Sequence, residues 1–170
     1  MIKETIPLQE KVQTFLINGF SACEQLQSQI TEYFKKDSET LLDVSYYKKR
    51  MIDLQKSARI QSTIKDVMGI LGRALVIPTV ASFDFFEIHQ YERDLAAPSV
   101  LFTEFCTDFT VLFVIRDGAD IFVSMGQDTQ KVPVSLGHCI VMQKPVTFSV
   151  RNVKRDGSFI LMKIKQEPQY

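Results

Sequence analysis

The chain has 170 residues, 45% hydrophobic and 24% charged, with 20 basic and 20 acidic side chains and a formal net charge of zero. That length can bury its own core as one domain, or as one domain with a helical appendage, without disulfides or metal. Zero net charge excludes the broad positive field that non-specific nucleic-acid binding needs, and it mildly favours self-association or partner binding. Cys23, Cys106 and Cys139 are odd in number and far apart, with no metal-ligand spacing, so buried free thiols in a reducing compartment are expected. The opening MIKETIPLQEK has no apolar signal core, and no run approaches the ~20 apolar residues of a membrane span. A soluble intracellular protein, cytoplasmic or nuclear, is the expectation.

In chain order, a helix is predicted over about residues 9–36. Val12, Leu16, Gly19, Cys23, Leu26, Ile30 and Tyr33 recur in steps of four and three, which places them on one helical stripe. Lys35 and Lys36 suit its C-terminus, and Asp37 or Ser38 can cap a successor. That second helix is predicted over about 39–71, with a break near Val44–Ser45. Val44, Tyr47, Met51, Leu54 and Ala58 share one stripe, and the phase then shifts to Ile60, Ile64, Val67 and Leu71. Lys48, Lys49, Arg50, Lys56, Arg59 and Lys65 make this segment basic, as a solvated helix face would be.

From Ala74 the period changes to two. Strands are expected at 74–80, 82–91, 100–106, 109–115, 121–125, 131–136, 138–143, 146–153 and 158–165. Asp117-Gly118, Gly126-Gln127-Asp128 and Asp156-Gly157 are turn signals between them. Strands this short and evenly spaced imply a sandwich, barrel or roll, not a parallel sheet with crossover helices.

P-loop, Rossmann, nucleophile-elbow and H-E-x-x-H patterns are all missing, and His89 and His138 are the only histidines. His138 follows Gly137 at a strand start and reads as a turn or edge residue. Arg116, Asp117 and Asp120 read as an exposed hairpin tip. Glu87 and His89, two apart on a strand, point the same way and could supply two metal ligands, with Cys106 or Asp108 as a third.

Val132–Asn152, VPVSLGHCIVMQKPVTFSVRN, resembles the second motif of cupins. Leu136-Gly137, Ile140–Met142, Pro145 and Asn152 match its frame, and Phe148 stands where the metal-binding histidine is expected. Fe(II)/2-oxoglutarate oxygenases have a similar frame. The resemblance covers about residues 80–165. It implies a double-stranded β-helix with Fe(II) or another divalent metal as cofactor, an H-x-D or H-x-E pair before the distal histidine, and a basic residue for 2-oxoglutarate. Pro98–Thr110 holds no histidine, and Lys163 is the loose match for the basic residue. An apolar Phe148 beside Val146 and Val150 on one strand face favours a packed interior.

The resulting expectation is an α+β fold. An N-terminal antiparallel helix pair (region 1–73) packs on an antiparallel jelly-roll-like β-roll (region 74–170). The expected function is a non-catalytic binding or assembly protein that engages a protein partner or itself, with Leu16, Leu26, Ile30, Met51 and Leu54 as the contact seam. No cofactor is expected under that reading. The alternative is a divergent metal-dependent oxygenase or isomerase using Glu87, His89 and an unrecognised third ligand, and only there is Fe(II) or another divalent metal expected. A second alternative is an OB-like barrel that stacks single-stranded nucleic acid on Phe85, Phe86 and Tyr91.

Overall fold

In the computed structural model, residues 8–17, 19–35, 40–51, 58–73, 81–106 and 108–166 are described. Strand composition explains the layering. The segment FTVLFVIR (β6, Phe109–Arg116) is apolar on both faces and is buried from Thr110 to Ile115. A strand of that kind needs cover on both sides. Val111, Phe113 and Ile115 face a core shared with helices α2 (Phe20–Lys35) and α3 (Ala58–Arg73), while Leu112 and Val114 face a second core. The neighbouring strands β9 (His138–Gln143) and β11 (Gly157–Gln166) divide in the same way. Cys139, Val141, Ile160 and Met162 lie on the helix side, and Ile140, Met142, Phe159 and Leu161 on the other.

The result is three layers: helices, a seven-stranded sheet and a four-stranded sheet. The remaining strands are β1 (Val12–Leu16), β2 (Thr40–Val44), β3 (Tyr47–Met51), β4 (Ala81–Tyr91), β5 (Val100–Phe105), β7 (Asp120–Met125), β8 (Asp128–Val132) and β10 (Thr147–Arg151). The larger sheet runs β1-β9-β6-β11-β4-β3-β2, and the smaller runs β5-β10-β7-β8. Every pair is antiparallel. From β4 onward the chain passes repeatedly between the two sheets, which makes the expected roll. Gly126 takes up a left-handed φ of 64° in the β7–β8 turn, and Asn152 does so at 57°, a conformation asparagine tolerates.

The helical front end differs from expectation. Within 9–36, a single helical turn, α1 (Leu8–Lys11), gives way to β1, and only Phe20–Lys35 is a full helix. VQTFL fits a strand as well as a helical stripe, and the open edge of β9 has backbone groups to pair; Val12 lies opposite Met142 and Leu16 opposite His138. The second predicted helix is corrected more strongly. Its first part is the β2–β3 hairpin, and β3 pairs with β4, Tyr47 against Tyr91 and Met51 against Glu87. From Ala58, where the phase shifts, the described residues are helical to Arg73, and Ile60, Ile64, Val67 and Leu71 are all buried. The strand expected at 74–80 lies outside the described residues. Among the described residues, no helix is long and apolar enough to cross a membrane.

Candidate functional site

Period-two alternation places Glu87, His89 and Tyr91 of β4 on the face that looks toward the smaller sheet. Tyr47 and Lys49 of β3, Glu104 of β5 and Lys163 of β11 meet them there. His89 Nδ1 lies 2.5 Å from Tyr47 Oη, and its Nε2 lies 2.8 Å from Glu87 Oε2. A neutral ring satisfies both bonds when Tyr47 donates to Nδ1 and Nε2–H donates to the carboxylate. The ring stacks on Phe159 with centroids 4.5 Å apart. His89 is wholly buried, and that burial holds it below the ordinary imidazole pKa although its bond to Glu87 pulls upward. Burial alone would raise the Glu87 pKa. The His89 hydrogen bond and the ammonium groups of Lys49 and Lys163 outweigh it, so Glu87 titrates below its ordinary value. Burial, reinforced by Glu104 and Glu87, drives the Tyr47 pKa up.

Above this buried relay the site becomes accessible. Lys49 Nζ lies 3.5 Å from Glu87 Oε1 and 3.7 Å from Glu104 Oε1. Lys163 Nζ lies 3.3 Å from Glu104 Oε2, at ion-pair distance but outside hydrogen-bond alignment. The side chains of Lys49, Lys163 and Glu104 are 20–25% exposed, against 3% for Glu87 and 0% for His89. Lys49, Lys163 and Glu104 therefore form a partly exposed charged cluster beside the buried Glu87 and the neutral imidazole of His89.

Glu87, His89 and Lys163 stand in this cluster. Tyr47, Lys49 and Glu104 carry no site signal in the sequence. On the predicted helix Tyr47 and Lys49 fall on different faces, whereas on a strand their i, i+2 spacing puts them together. The same spacing joins Phe102 to Glu104. The suggested third ligands do not complete a site with Glu87 and His89. Cys106 is buried, with its backbone N–H given to the Val146 carbonyl, and Asp108 pairs with Lys144 at 2.8 Å. His138 opens β9, its Nδ1 3.0 Å from the Ser135 carbonyl. The hairpin tip is only partly exposed: Asp120 ion-pairs with Lys131 at 3.2 Å and Lys154 at 3.4 Å.

The proposed seam residues are scattered. Leu16 is 69% exposed on β1, Leu26 and Ile30 are buried in the core beneath α2, and Met51 sits on β3. Leu54 lies outside the described residues. Of the suggested nucleic-acid platform residues, Tyr91 is buried and Phe86 packs on the helix-side core, while the Phe85 side chain lies outside those described.

The iron implied by the resemblance does not fit these residues. Phe148, 1% exposed, occupies the expected ligand position on β10 and meets Phe102 of β5 edge-on, centroids 5.8 Å apart. A phenyl pair offers no lone pair to a cation. Both nitrogens of His89 are engaged. Among the described residues, no three His, Cys, Asp or Glu side chains gather to hold a metal ion.

No known family pattern matches the chain, and no curated protein matches it. Solved structures do. The non-heme α-ketoglutarate-dependent epimerase SnoN from nogalamycin biosynthesis superposes with a TM-score of 0.70 at 9% identity, covering 94% of this chain and 80% of that one. A prolyl hydroxylase from Trichoplax adhaerens, in complex with a hypoxia-inducible-factor peptide fragment, gives 0.68 at 10% identity, covering 92% and 84%. HygX from Streptomyces hygroscopicus, with nickel and 2-oxoglutarate bound, gives 0.68 at 10% identity, covering 91% and 82%. An epimerase and a prolyl hydroxylase stand among these neighbours, which overturns the expectation of a non-catalytic binding or assembly protein. Eight strands traded between two sheets, with Phe148 packed where a metal-binding histidine is expected, make this chain a degenerate double-stranded β-helix with the fold of the Fe(II)/2-oxoglutarate oxygenases.

Proposed function

We propose that this chain is a divergent enzyme of the cupin/2-oxoglutarate-oxygenase class, on the isomerase side of that class, acting on a small oxo acid at the mouth of the roll. The observation that carries the reading is the convergence of Lys163 and Lys49 on one partly exposed carboxylate above a buried Tyr47–His89–Glu87 relay. Ammonium groups can grip an acid's carboxylate and stabilise the enolate charge on its oxo oxygen as an adjacent C–H proton passes to solvent base and is replaced from solvent. The relay keeps Glu87 ionised, and Glu87 in turn holds Lys49 toward the mouth. No step is routed through iron, because the donor set does not suit it.

The test uses proton NMR in D2O with EDTA present and 2-oxoglutarate, pyruvate and oxaloacetate as probes. The expected result is line broadening of at least one probe and accelerated loss of its signal next to the oxo group, both lost in Lys163→Met. No binding of any probe would overturn the reading. Succinate formation from 2-oxoglutarate only on adding Fe(II) would overturn the isomerase assignment in favour of an oxygenase.

A further inference from the structure

We infer that a cleft at the opposite end of the roll from Glu104 and Lys163 binds a small sugar phosphate. The strand register sets the separation. Asp120 and Val100 both pair with Arg151 at the end of β10, whereas Glu104 pairs with Phe148 further along. The cleft does not depend on the oxo-acid reading.

The β6–β7, β8–β9 and β10–β11 connections line this cleft of about 630 Å³, a volume that suits a small ligand. Lys131, Lys154 and Arg155 border it, against Asp117 and Asp120. Asp120 Oδ1 lies 3.2 Å from the Lys131 ammonium and 3.4 Å from that of Lys154. One carboxylate oxygen thus draws two ammonium groups together, and its single charge balances one of them. The Arg155 guanidinium donates to the Asp117 carbonyl at 2.7 Å and, among the described residues, meets no carboxylate. A phosphate has acceptor oxygens enough to bond ammonium and guanidinium groups at once.

The acceptors select the rest of the ligand. His138 gives Nδ1–H to the Ser135 carbonyl at 3.0 Å, which leaves Nε2 as an acceptor. Neither that nitrogen nor the half-buried Asp117 carboxylate has a protein partner among the described residues. Sulfate has no hydrogen to give them, and a neutral sugar leaves the cations unmatched. A sugar phosphate brings hydroxyl donors and an anion together. The loop that carries two of the cations is also held in place. The Lys154 and Arg155 N–H groups donate to the Gly118 carbonyl at 2.7 and 3.2 Å. A methyl group on Gly118 would strike the Arg155 carbonyl oxygen, so glycine is what lets the loop seat this closely.

The experiment follows the imidazole C–H signals by proton NMR while ribose 5-phosphate, ribose, inorganic phosphate or sulfate is added. The chain has two histidines, and His89 is wholly buried beside Glu87, so the two signals report the two ends separately. His138→Gln assigns them. Ribose 5-phosphate should shift the His138 signal, leave the His89 signal in place and reach half-saturation below about 1 mM. It should bind at least about tenfold more tightly than the other three probes. Lys154→Met and Arg155→Met change exposed side chains, and each should weaken that binding by about tenfold or more. Lys131→Met serves if either variant does not fold. An unmoved His138 signal would overturn the inference, as would undiminished binding in the variants. Inorganic phosphate bound as tightly would overturn the sugar assignment, and sulfate bound as tightly would reduce the cleft to a general cationic patch. A shift of the His89 signal alone would place the ligand at the other end and overturn it too.

Discussion

Burial and hydrogen bonding pull on His89 in opposite directions, and burial wins. Its folded pKa lies below the ordinary 6.5. As pH falls through 6.5 the unfolded chain takes up a proton here before the folded chain does, so stability is complete above that pH and declines below it. Glu87, also held below its ordinary 4.5, adds stability that is present above 4.5 and is lost on further acidification. The urea midpoint should therefore fall between about pH 7.5 and about pH 5, mostly through His89. His89→Gln should be less stable at neutral pH and show a flatter dependence over that range; a slope equal to wild type would assign the acid sensitivity to other groups. The cysteines follow the same physics. Burial pushes the Cys106 thiol up to about 12 and raises Cys23 and Cys139 as well. All three are free thiols, and Cys106 lies in the inter-sheet core while Cys139 faces the helices.

Among the elements, the β10–β11 connection was legible as Asp156-Gly157, but the demand on its glycine was not. Gly157 lies opposite Tyr91 in the β4–β11 ladder, and a methyl group on it would run into the Tyr91 ring. That ring is pinned, since its hydroxyl accepts the Gly118 N–H at 3.0 Å. Gly157→Ala should cost about 1–3 kcal/mol in urea unfolding, as overpacking does. Gly69→Ala is the control of opposite sign: it lies inside α3, and its new methyl would meet only the end of Arg73 at 3.6 Å. Helix propensity predicts a gain of about 0.5–1 kcal/mol there. A Gly157 variant as stable as wild type would show that the Tyr91 ring can move aside. The β3 strand carries the other lesson. YKKRM reads as a basic helix face, yet on a strand it sends Tyr47 and Lys49 into the site, while Arg50 lies over the Phe34 ring at 5.1 Å.

For the molecule as a whole, two leucines from the same predicted stripe separate core from surface. Leu26 is 3% exposed in the helix–sheet core and Leu16 is 69% exposed on an edge strand. Leu26→Asp buries an unpaired carboxylate and should cost about 3–5 kcal/mol or abolish folding, whereas Leu16→Asp should stay within about 0.5 kcal/mol. Chemical denaturation of both variants checks this. Comparable losses would mean that Leu16 is covered in solution.

The sequence by itself determined the roll. Alternation from Ser82 onward, the Asp-Gly turns and strands apolar on both faces are local properties, and each constrains the backbone where it stands. It also determined which faces of α2 and α3 turn inward, through Leu26, Ile30, Ile60, Ile64, Val67 and Leu71. Only the tertiary structure decided the fate of residues 12–16 and 40–51, whose patterns fit either period. The backbone groups at the open edges of β9 and β4 settled that choice, and they belong to chain far away in sequence. It also decided the site. Tyr47, Lys49, Glu87, His89, Glu104 and Lys163 come from four separate strands, and only their hydrogen-bonding register and the stacking of the two sheets bring those charges into one cluster.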